Sequence, residues 1–291
     1  MIRHDPTKRI RQIASSLLCG TVLGFLAAVV FAGPLVAANE PEQDNESEAQ
    51  REQGLKNMQR SAAQYALTSA DSPQRAFKFH DTAAMRFSNP VSGTIDGALY
   101  LWTNHGRPQA LLKFFTFNNK SYSHAWLSLS ESNIVAERGG KLVWSPTQPG
   151  IEFREVPGAP QPAETAAERS RQMKALSSRF SATYTATHLG SRPFELRNLT
   201  QPLLRYETDD DYHADGALFG YVQSTTPVGL LLLESRPTPD GRRWHYAYSS
   251  LVTGPVTARY QDQEIFSLER DAASTDPKQP FVLFRSLPVP P

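Results

Sequence analysis

The sequence predicts a β-rich α+β fold made of two similar halves. Three observations predict it: a seven-residue signature occurs twice, a helix-like stretch precedes each copy, and short strand-like runs fill the remainder. The signature is Asp96–Trp102 (DGALYLW), which returns as Asp215–Tyr221 (DGALFGY). We therefore predict a tandem duplication of one unit, an amphipathic helix followed by a six- to seven-stranded antiparallel sheet. The two halves are expected to pack about a pseudo-two-fold axis.

The N-terminus is typical of an export signal. Four basic residues lie between positions 3 and 11, an apolar run covers Ile13–Ala32, and Gly33-Pro34 with the small residues Val36–Ala38 follows. This order predicts a signal peptide over residues 1–38. The alternative is an uncleaved anchor, because about twenty apolar residues can cross a bilayer. The predicted location is periplasmic or secreted, with a membrane attachment only if this segment is uncleaved.

Composition excludes several kinds of function. Cys19, the only cysteine, lies inside the predicted signal peptide, so the mature chain would have neither disulfides nor thiol catalysis. The formal net charge of +1 owes its sign to the N-terminus, and the remainder is at about −2. No basic patch interrupts that remainder, so a nucleic-acid surface is not expected.

The body of the chain divides into four predicted segments. Residues 39–53 are polar and acidic and predict a disordered spacer. Residues 54–157 and 164–291 predict the two helix-plus-sheet repeats, separated by a proline-rich linker at 158–163. Apolar residues at helical spacing predict a helix at the start of each repeat. In the first helix they are Leu55, Met58, Ala62, Tyr65 and Ala66. The second helix spans about 164–184, and its apolar residues are Ala166, Met173, Leu176, Phe180 and Tyr184.

Residues outside the signature also correspond between the halves. Arg86 and Arg205 lie ten positions before the signature aspartates Asp96 and Asp215, and each is followed by an aromatic residue. We predict that each arginine forms a structural ion pair or a turn-closing contact with its aspartate. By the same matching, His124 corresponds to His245. Phe153 likewise corresponds to Phe284.

Two histidines with aromatic neighbours form the first candidate site. His124 lies near Trp126, and His245 follows Trp244. Imidazoles near a symmetry axis, with indole rings beside them, predict a ligand-binding site. The alternative is that all four side chains are packed in the core, which is the more common fate of aromatic residues on strands.

An acidic run forms the second candidate site. Asp209, Asp211 and His213 offer carboxylates and an imidazole, which are ligands for divalent metals. The alternative is a solvated turn, because the run directly precedes the second signature. No other cofactor is indicated by the sequence.

Several further segments resemble an exported, uncharacterised family of planctomycete-type bacteria. They are Leu101-Trp102-Thr103 with Gly106-Arg107-Pro108, Ser128-Leu129-Ser130, Trp144-Ser145-Pro146 to Gly150, the Pro-rich linker, Arg171-Gln172-Met173, and Gln201-Pro202-Leu203 to Tyr206. The resemblance covers most of residues 60–270. It implies an envelope or secreted location and a β-rich body, and it brings no activity and no site residues.

The sequence favours a non-catalytic exported protein that binds an envelope component or a partner protein. No nucleophile elbow, zincin motif, P-loop or dinucleotide fingerprint is present. The main alternative is an extracytoplasmic hydrolase, metal-assisted, that uses the Asp209–His213 cluster with His245. An anchored sensor domain is a third reading, and it requires that residues 13–32 stay attached.

Overall fold

The computed structural model describes residues 42–89, 93–117, 121–186, 192–209, 213–269 and 275–288. The predicted signal peptide at 1–38 lies outside them. One compact unit begins at Gln43. Within the described ranges, neither helix combines the length and the apolar character that crossing a membrane requires.

The first half of the described chain contains one helix and ten strands. They are α1 (Glu42–Ala62), β1 (Tyr65–Ser69), β2 (Ser72–Ala76), β3 (Lys78–Phe79), β4 (Met85–Asn89), β5 (Thr94–Asn104), β6 (Arg107–Thr116), β7 (Ser121–Ser128), β8 (Ile134–Arg138), β9 (Lys141–Trp144) and β10 (Arg154–Glu155).

The second half contains one helix and ten strands in the same order. They are α2 (Ala166–Ser177), β11 (Phe180–Thr185), β12 (Pro193–Glu195), β13 (Arg197–Asn198), β14 (Leu204–Glu207), β15 (Asp215–Gln223), β16 (Thr226–Thr238), β17 (Gly241–Ser250), β18 (Val256–Tyr260), β19 (Gln263–Leu268) and β20 (Phe281–Pro288).

The strands form four antiparallel sheets, which confirms the predicted β-rich α+β class. Outer sheet 1 has the order β2-β1-β8-β9, and outer sheet 2 has the order β12-β11-β18-β19. Inner sheet 1 has the order β20-β7-β6-β5-β3, with β4 also paired to β5. Inner sheet 2 has the order β10-β17-β16-β15-β13, with β14 also paired to β15. The prediction of one six- to seven-stranded sheet per half is therefore wrong, because the strands of each half divide between two sheets.

The last strand of each half belongs to the inner sheet of the other half. β10 pairs with β17, where Arg154 lies opposite Tyr246. β20 pairs with β7, where Val282 lies opposite Trp126. Each of these strands covers a sheet edge that would otherwise expose unpaired backbone groups. The two halves are consequently joined by backbone hydrogen bonds as well as by side-chain packing.

Three apolar clusters fill the spaces between four layers of sheet. The first lies between outer sheet 1 and inner sheet 1, and includes Tyr100, Trp102 and Trp126. The second lies between inner sheet 2 and outer sheet 2, and includes Phe219 and Tyr221. The third lies between the two inner sheets and consists of Phe87, Leu99, Leu101, Leu111, Leu127, Leu129, Ile151, Leu218, Leu230, Leu232, Ala247 and Leu251. The inner sheets are buried on both faces, which explains their nearly unbroken apolar runs.

Both helices differ from their predicted bounds. α1 begins at Glu42, so residues 42–53 are helical and not the predicted disordered spacer. Glutamate, glutamine and arginine favour helix, and an ion pair between Glu52 and Lys56 at 2.7 Å supports it locally. α2 ends at Ser177, so Phe180 and Tyr184 lie on β11, and Tyr65 with Ala66 lies on β1. Pairing with a neighbouring strand outweighs the helical spacing of these residues.

The aspartate of each repeated signature holds an arginine. Arg86 donates to Asp96 at 3.0 Å from Nε and 2.9 Å from Nη2. Asp215 forms ion pairs with Arg205 and also with Arg169 of α2. The predicted ion pairs are therefore confirmed. They tie the start of β5 and of β15 to the neighbouring strand and helix.

The glycine of each signature makes room for an aromatic ring. A Cβ atom on Gly97 would lie 2.4 Å from the ring of Phe87, and one on Gly216 would lie 2.5 Å from the ring of Tyr206. No side chain larger than hydrogen fits under either ring. The repeated Asp-Gly pair thus has one structural role for each of its residues.

Candidate functional site

His124 is a core residue. Its Nε2 lies 3.2 Å from the Tyr65 hydroxyl, and its ring stacks on Phe284 with 5.0 Å between centroids. Burial, with the charge of Arg138 second, lowers the pKa of His124 to about 4. The imidazole is therefore neutral near pH 7 and is enclosed by packed aromatic rings.

His245 does not occupy the place that corresponds to His124. His124 lies opposite Phe114 of β6, whereas the residue opposite Leu233 of β16 is Tyr246. The matching of the two histidines is therefore wrong by one residue. Because neighbouring residues on a strand face opposite sides of the sheet, His245 lies on the other face from the residue that corresponds to His124. The match of Phe153 with Phe284 fails in the same way, since Phe284 packs in the first cluster and Phe153 in the third.

The two predicted ligand-binding tryptophans are buried. Trp126 stacks on Trp144 with 5.2 Å between ring centroids and has no exposed surface. Trp244 is 1% exposed and belongs to the cluster of the second half. The structure does not bring these four predicted residues to one site: His124 and Trp126 lie in one core, Trp244 in another, and His245 is half-buried on the opposite face of β17.

The predicted metal site is described only in part. Asp209 is 80% exposed at its side chain and pairs with His105 at 2.5 Å. His213 has a φ of 43°, and its carbonyl accepts a hydrogen bond from Arg242. Asp211 lies outside the described residues. Within the ranges that the structure describes, no three histidine, cysteine or acidic side chains come together in a way that could hold a metal.

A cavity of about 400 Å³ lies at one end of the space between the inner sheets and extends to Tyr184, Val228 and Val252 of the second cluster. We call it the Lys113 cavity, and it is lined by Phe87, Thr94, Lys113, Phe115, Phe117, Tyr184, Gln223, Thr226, Val228 and Val252. The volume falls within the range of small-molecule sites. Most of the lining is aromatic or aliphatic, and Lys113 carries the one ammonium group in it.

Lys113 is buried and has a single hydrogen-bonding partner in the described structure. Its Nζ donates to the carbonyl of Pro227 at 2.8 Å. The rings of Phe87 and Phe115 lie 5.6 and 5.7 Å from Nζ. Burial lowers the pKa of Lys113 to about 7. None of the ten described lining residues is acidic, so no carboxylate there offsets the cost of burying the ammonium.

The other end of the same space is filled by a buried ionic cluster. Glu234, with no exposed surface, lies 2.7 Å from Arg107 and 3.3 Å from Arg236. Glu131 bridges the same two arginines at 3.0 and 2.6 Å. Tyr206 donates from its hydroxyl to Glu234 at 2.6 Å. Charges of both signs are present here, and no ligand is required to balance them.

Strand pairing places these two ends at corresponding positions. Phe115 lies opposite Gly97, and Glu234 lies opposite Gly216. Phe87 and Tyr206 also lie opposite those glycines, on β4 and β14. One position therefore carries the phenyl ring of Phe115 at the end with the cavity and the carboxylate of Glu234 at the end with the ionic cluster. We call these the open end and the closed end. The difference between the ends is chemical and not topological.

A larger concavity, of about 610 Å³, lies where residues 148–152 meet the aromatic residues Tyr246 and Tyr248. Its charged groups satisfy one another, because Arg154 donates to Glu152 at 3.1 Å and both are largely exposed. Its described lining holds no buried charge without a counter-charge, since Glu131 pairs with Arg107 and Arg236. It is therefore a weaker candidate than the Lys113 cavity.

Sequence reasoning missed Lys113, although a signal was present. Lys113 interrupts the apolar run Ala110–Phe115, which lies within β6, a strand that is buried on both faces. A single charge inside such a run is rare without a functional or structural reason. No protein-family model matches this chain, and no curated protein or solved structure matches it either, so its function is inferred from the geometry of the Lys113 cavity.

Proposed function

We propose that this chain is an exported, non-catalytic binding protein of the cell envelope, and that it holds a small, mainly apolar ligand in the Lys113 cavity. The observation that carries the proposal is the unfilled space beside Lys113, at the place where the other half fills the corresponding space with Glu234 and Arg236. A folded protein rarely keeps an apolar cavity of this size without a use for it.

Binding accounts for the lining better than catalysis does. A site in which an acid and a base act together needs two titratable groups close to the substrate. Besides Lys113, the described lining offers only Tyr184 as a titratable side chain, and burial raises the pKa of its hydroxyl. Thr94, Gln223 and Thr226 can donate or accept hydrogen bonds, which suits the orientation of a bound ligand.

We also propose that the two halves arose by tandem duplication and are related by a pseudo-two-fold axis. The identical order of the strands in corresponding sheets supports this. The reciprocal placement of β10 and β20 supports it further, because an exchange of end strands is what two symmetric partners produce. After a duplication, one copy can fill a site for stability while the other keeps it open for a ligand.

The proposed export rests on the sequence of residues 1–38, and the family resemblance likewise remains a prediction. Sequencing the N-terminus of the protein recovered from the cell envelope tests the export. A mature chain that starts near Asn39 supports a soluble periplasmic or secreted protein. A chain that keeps residues 13–32 supports the anchored alternative.

Binding of the neutral naphthalene dye prodan tests the proposed cavity site. We expect prodan emission to shift to shorter wavelength with the wild-type protein. The substitution Val252→Phe, which fills the cavity from a half-buried lining position, should abolish the shift. Leu142→Phe, at an exposed position of β9, is the matched control and should leave it unchanged. Equal binding by the Val252→Phe variant would contradict the proposal.

A further inference from the structure

The class of ligand follows from comparing the two ends of the space between the inner sheets. At the closed end, the chain supplies two arginines and two carboxylates, since Arg107 and Arg236 pair with both Glu234 and Glu131. At the open end, the described residues supply a cation alone. Lys113 occupies the apolar space, and the described lining holds no acidic side chain.

We infer that the ligand is a small apolar monocarboxylate, whose carboxylate pairs with Lys113 Nζ while its hydrocarbon part lies among Phe87, Phe115 and Phe117. This inference rests on the proposed binding function and names the chemical class of its ligand. Such a ligand supplies what the open end lacks, a single negative charge and apolar volume.

The hydrogen bonding of Lys113 leaves room for this contact. An ammonium group has three N–H donors, and Nζ uses one of them on the Pro227 carbonyl. The two neighbouring phenyl faces offer only weak cation–π attraction. A carboxylate would accept one or two charge-assisted hydrogen bonds, which are among the strongest available in a protein interior.

The groups facing Lys113 predict how this binding depends on pH. β4 and β6 contribute the rings of Phe87 and Phe115, the start of β5 contributes Thr94, and the second half contributes Gln223, Thr226 and Val228. Tyr184 from β11 is the one further titratable group in the described lining, and it is neutral below pH 10. Burial alone accounts for the lowered pKa of Lys113. The ammonium is therefore present below about pH 7 in the free protein and is lost above it.

Calorimetry with decanoate and decanol separates the effect of the ligand's charge from the effect of its hydrocarbon tail. At about pH 6 the decanoate is ionised and Lys113 is protonated, so we expect decanoate to bind the wild type at least about tenfold more tightly than decanol. In Lys113→Met this preference should disappear, while decanol still binds. At about pH 9 the preference of the wild type should shrink.

A second measurement does not depend on any variant. Titration of the Lys113 side chain by NMR should give a pKa that rises when decanoate is added and does not change with decanol. If wild type binds decanoate and decanol equally, and the titration of Lys113 does not move, the inference is overturned while the cavity remains a binding site. If neither ligand binds and prodan does not bind, the proposed function fails with it.

Discussion

Lys113 and Leu232 occupy corresponding places on β6 and β16, since Lys113 lies opposite Leu99 and Leu232 lies opposite Leu218. Both side chains lie in the space between the inner sheets. The leucine completes an apolar cluster, and the lysine lines a cavity beside the same cluster. Because an apolar side chain occupies the corresponding place in the other half, we expect that folding does not require the lysine.

The substitution Lys113→Met should stabilise the protein. The folded-state pKa of about 7 lies below the ordinary value of 10.5, so the unfolded chain binds more protons between these values. The free energy of unfolding of the wild type should therefore rise as the pH rises from 7 to 10.5. Near pH 7 we expect Lys113→Met to add about 2–4 kcal/mol, since each pKa unit corresponds to about 1.4 kcal/mol. Urea denaturation across this range measures both effects.

Leu232→Met is the matched control for Lys113→Met. It makes the same residue at the corresponding place and removes no charge, so the pH dependence of unfolding should match that of the wild type. A destabilised Lys113→Met variant would mean that the ammonium has a stabilising partner at this site.

Buried His124 should make the protein sensitive to acid. Its folded-state pKa of about 4 lies below the ordinary 6.5. The contribution of neutral His124 to the free energy of unfolding is therefore fully present above pH 6.5 and is lost as the pH falls toward 4. The loss should reach about 3 kcal/mol. The variant His124→Gln keeps a polar partner for Tyr65 and should show a shallower slope in denaturant midpoints between pH 6.5 and 4. Part of the slope should remain, because burial also lowers the pKa of His80.

The ionic cluster should be essential for stability. Glu234→Gln leaves Arg107 and Arg236 buried with less negative charge, and breaking such a buried arrangement costs about 3–5 kcal/mol. Thermal unfolding of the variant measures the cost. Glu52→Gln removes the exposed ion pair with Lys56 on α1 and is the control, for which we expect no measurable change. A Glu234→Gln variant as stable as the wild type would contradict the importance of the cluster.

Strand β20 should be required for a soluble fold. A chain that stops after Pro280 loses Val282, which is fully buried, and exposes the edge of β7. We expect a lower melting temperature and self-association in size-exclusion chromatography, because an open apolar edge recruits other strands. A synthetic peptide of residues 279–288 added in trans should restore the monomer.

The same peptide carrying Val282→Asp is the control and should not restore it, because the carboxylate would be buried among Trp126 and its neighbours. If the shortened chain stays monomeric and equally stable, β20 does not hold the halves together.

The sequence by itself predicted the class of the fold and the Arg–Asp pairs at the start of each signature. Those features depend on residues close together in the chain, such as Arg86 and Asp96, and local spacing limits what they can contact. The helix ends were predicted less well. Phe180 follows Leu176 at a helical spacing, and only its pairing with Tyr260 on β18 makes it a strand residue.

Tertiary structure alone decided which strands pair, which face each side chain takes and where space stays empty. Alternation along a strand predicts that it has two faces, but it does not predict which strand or sheet each face contacts. The one-residue error in matching His124 with His245, and the exchange of β10 and β20 between the halves, could therefore not be predicted from the sequence. The Lys113 cavity follows from that arrangement, because its walls come from β4, β6, β11 and β16, which lie far apart in the chain. The sequence shows which residues line the cavity only after the sheets have packed together, because the packing decides which of their side chains lie close to one another.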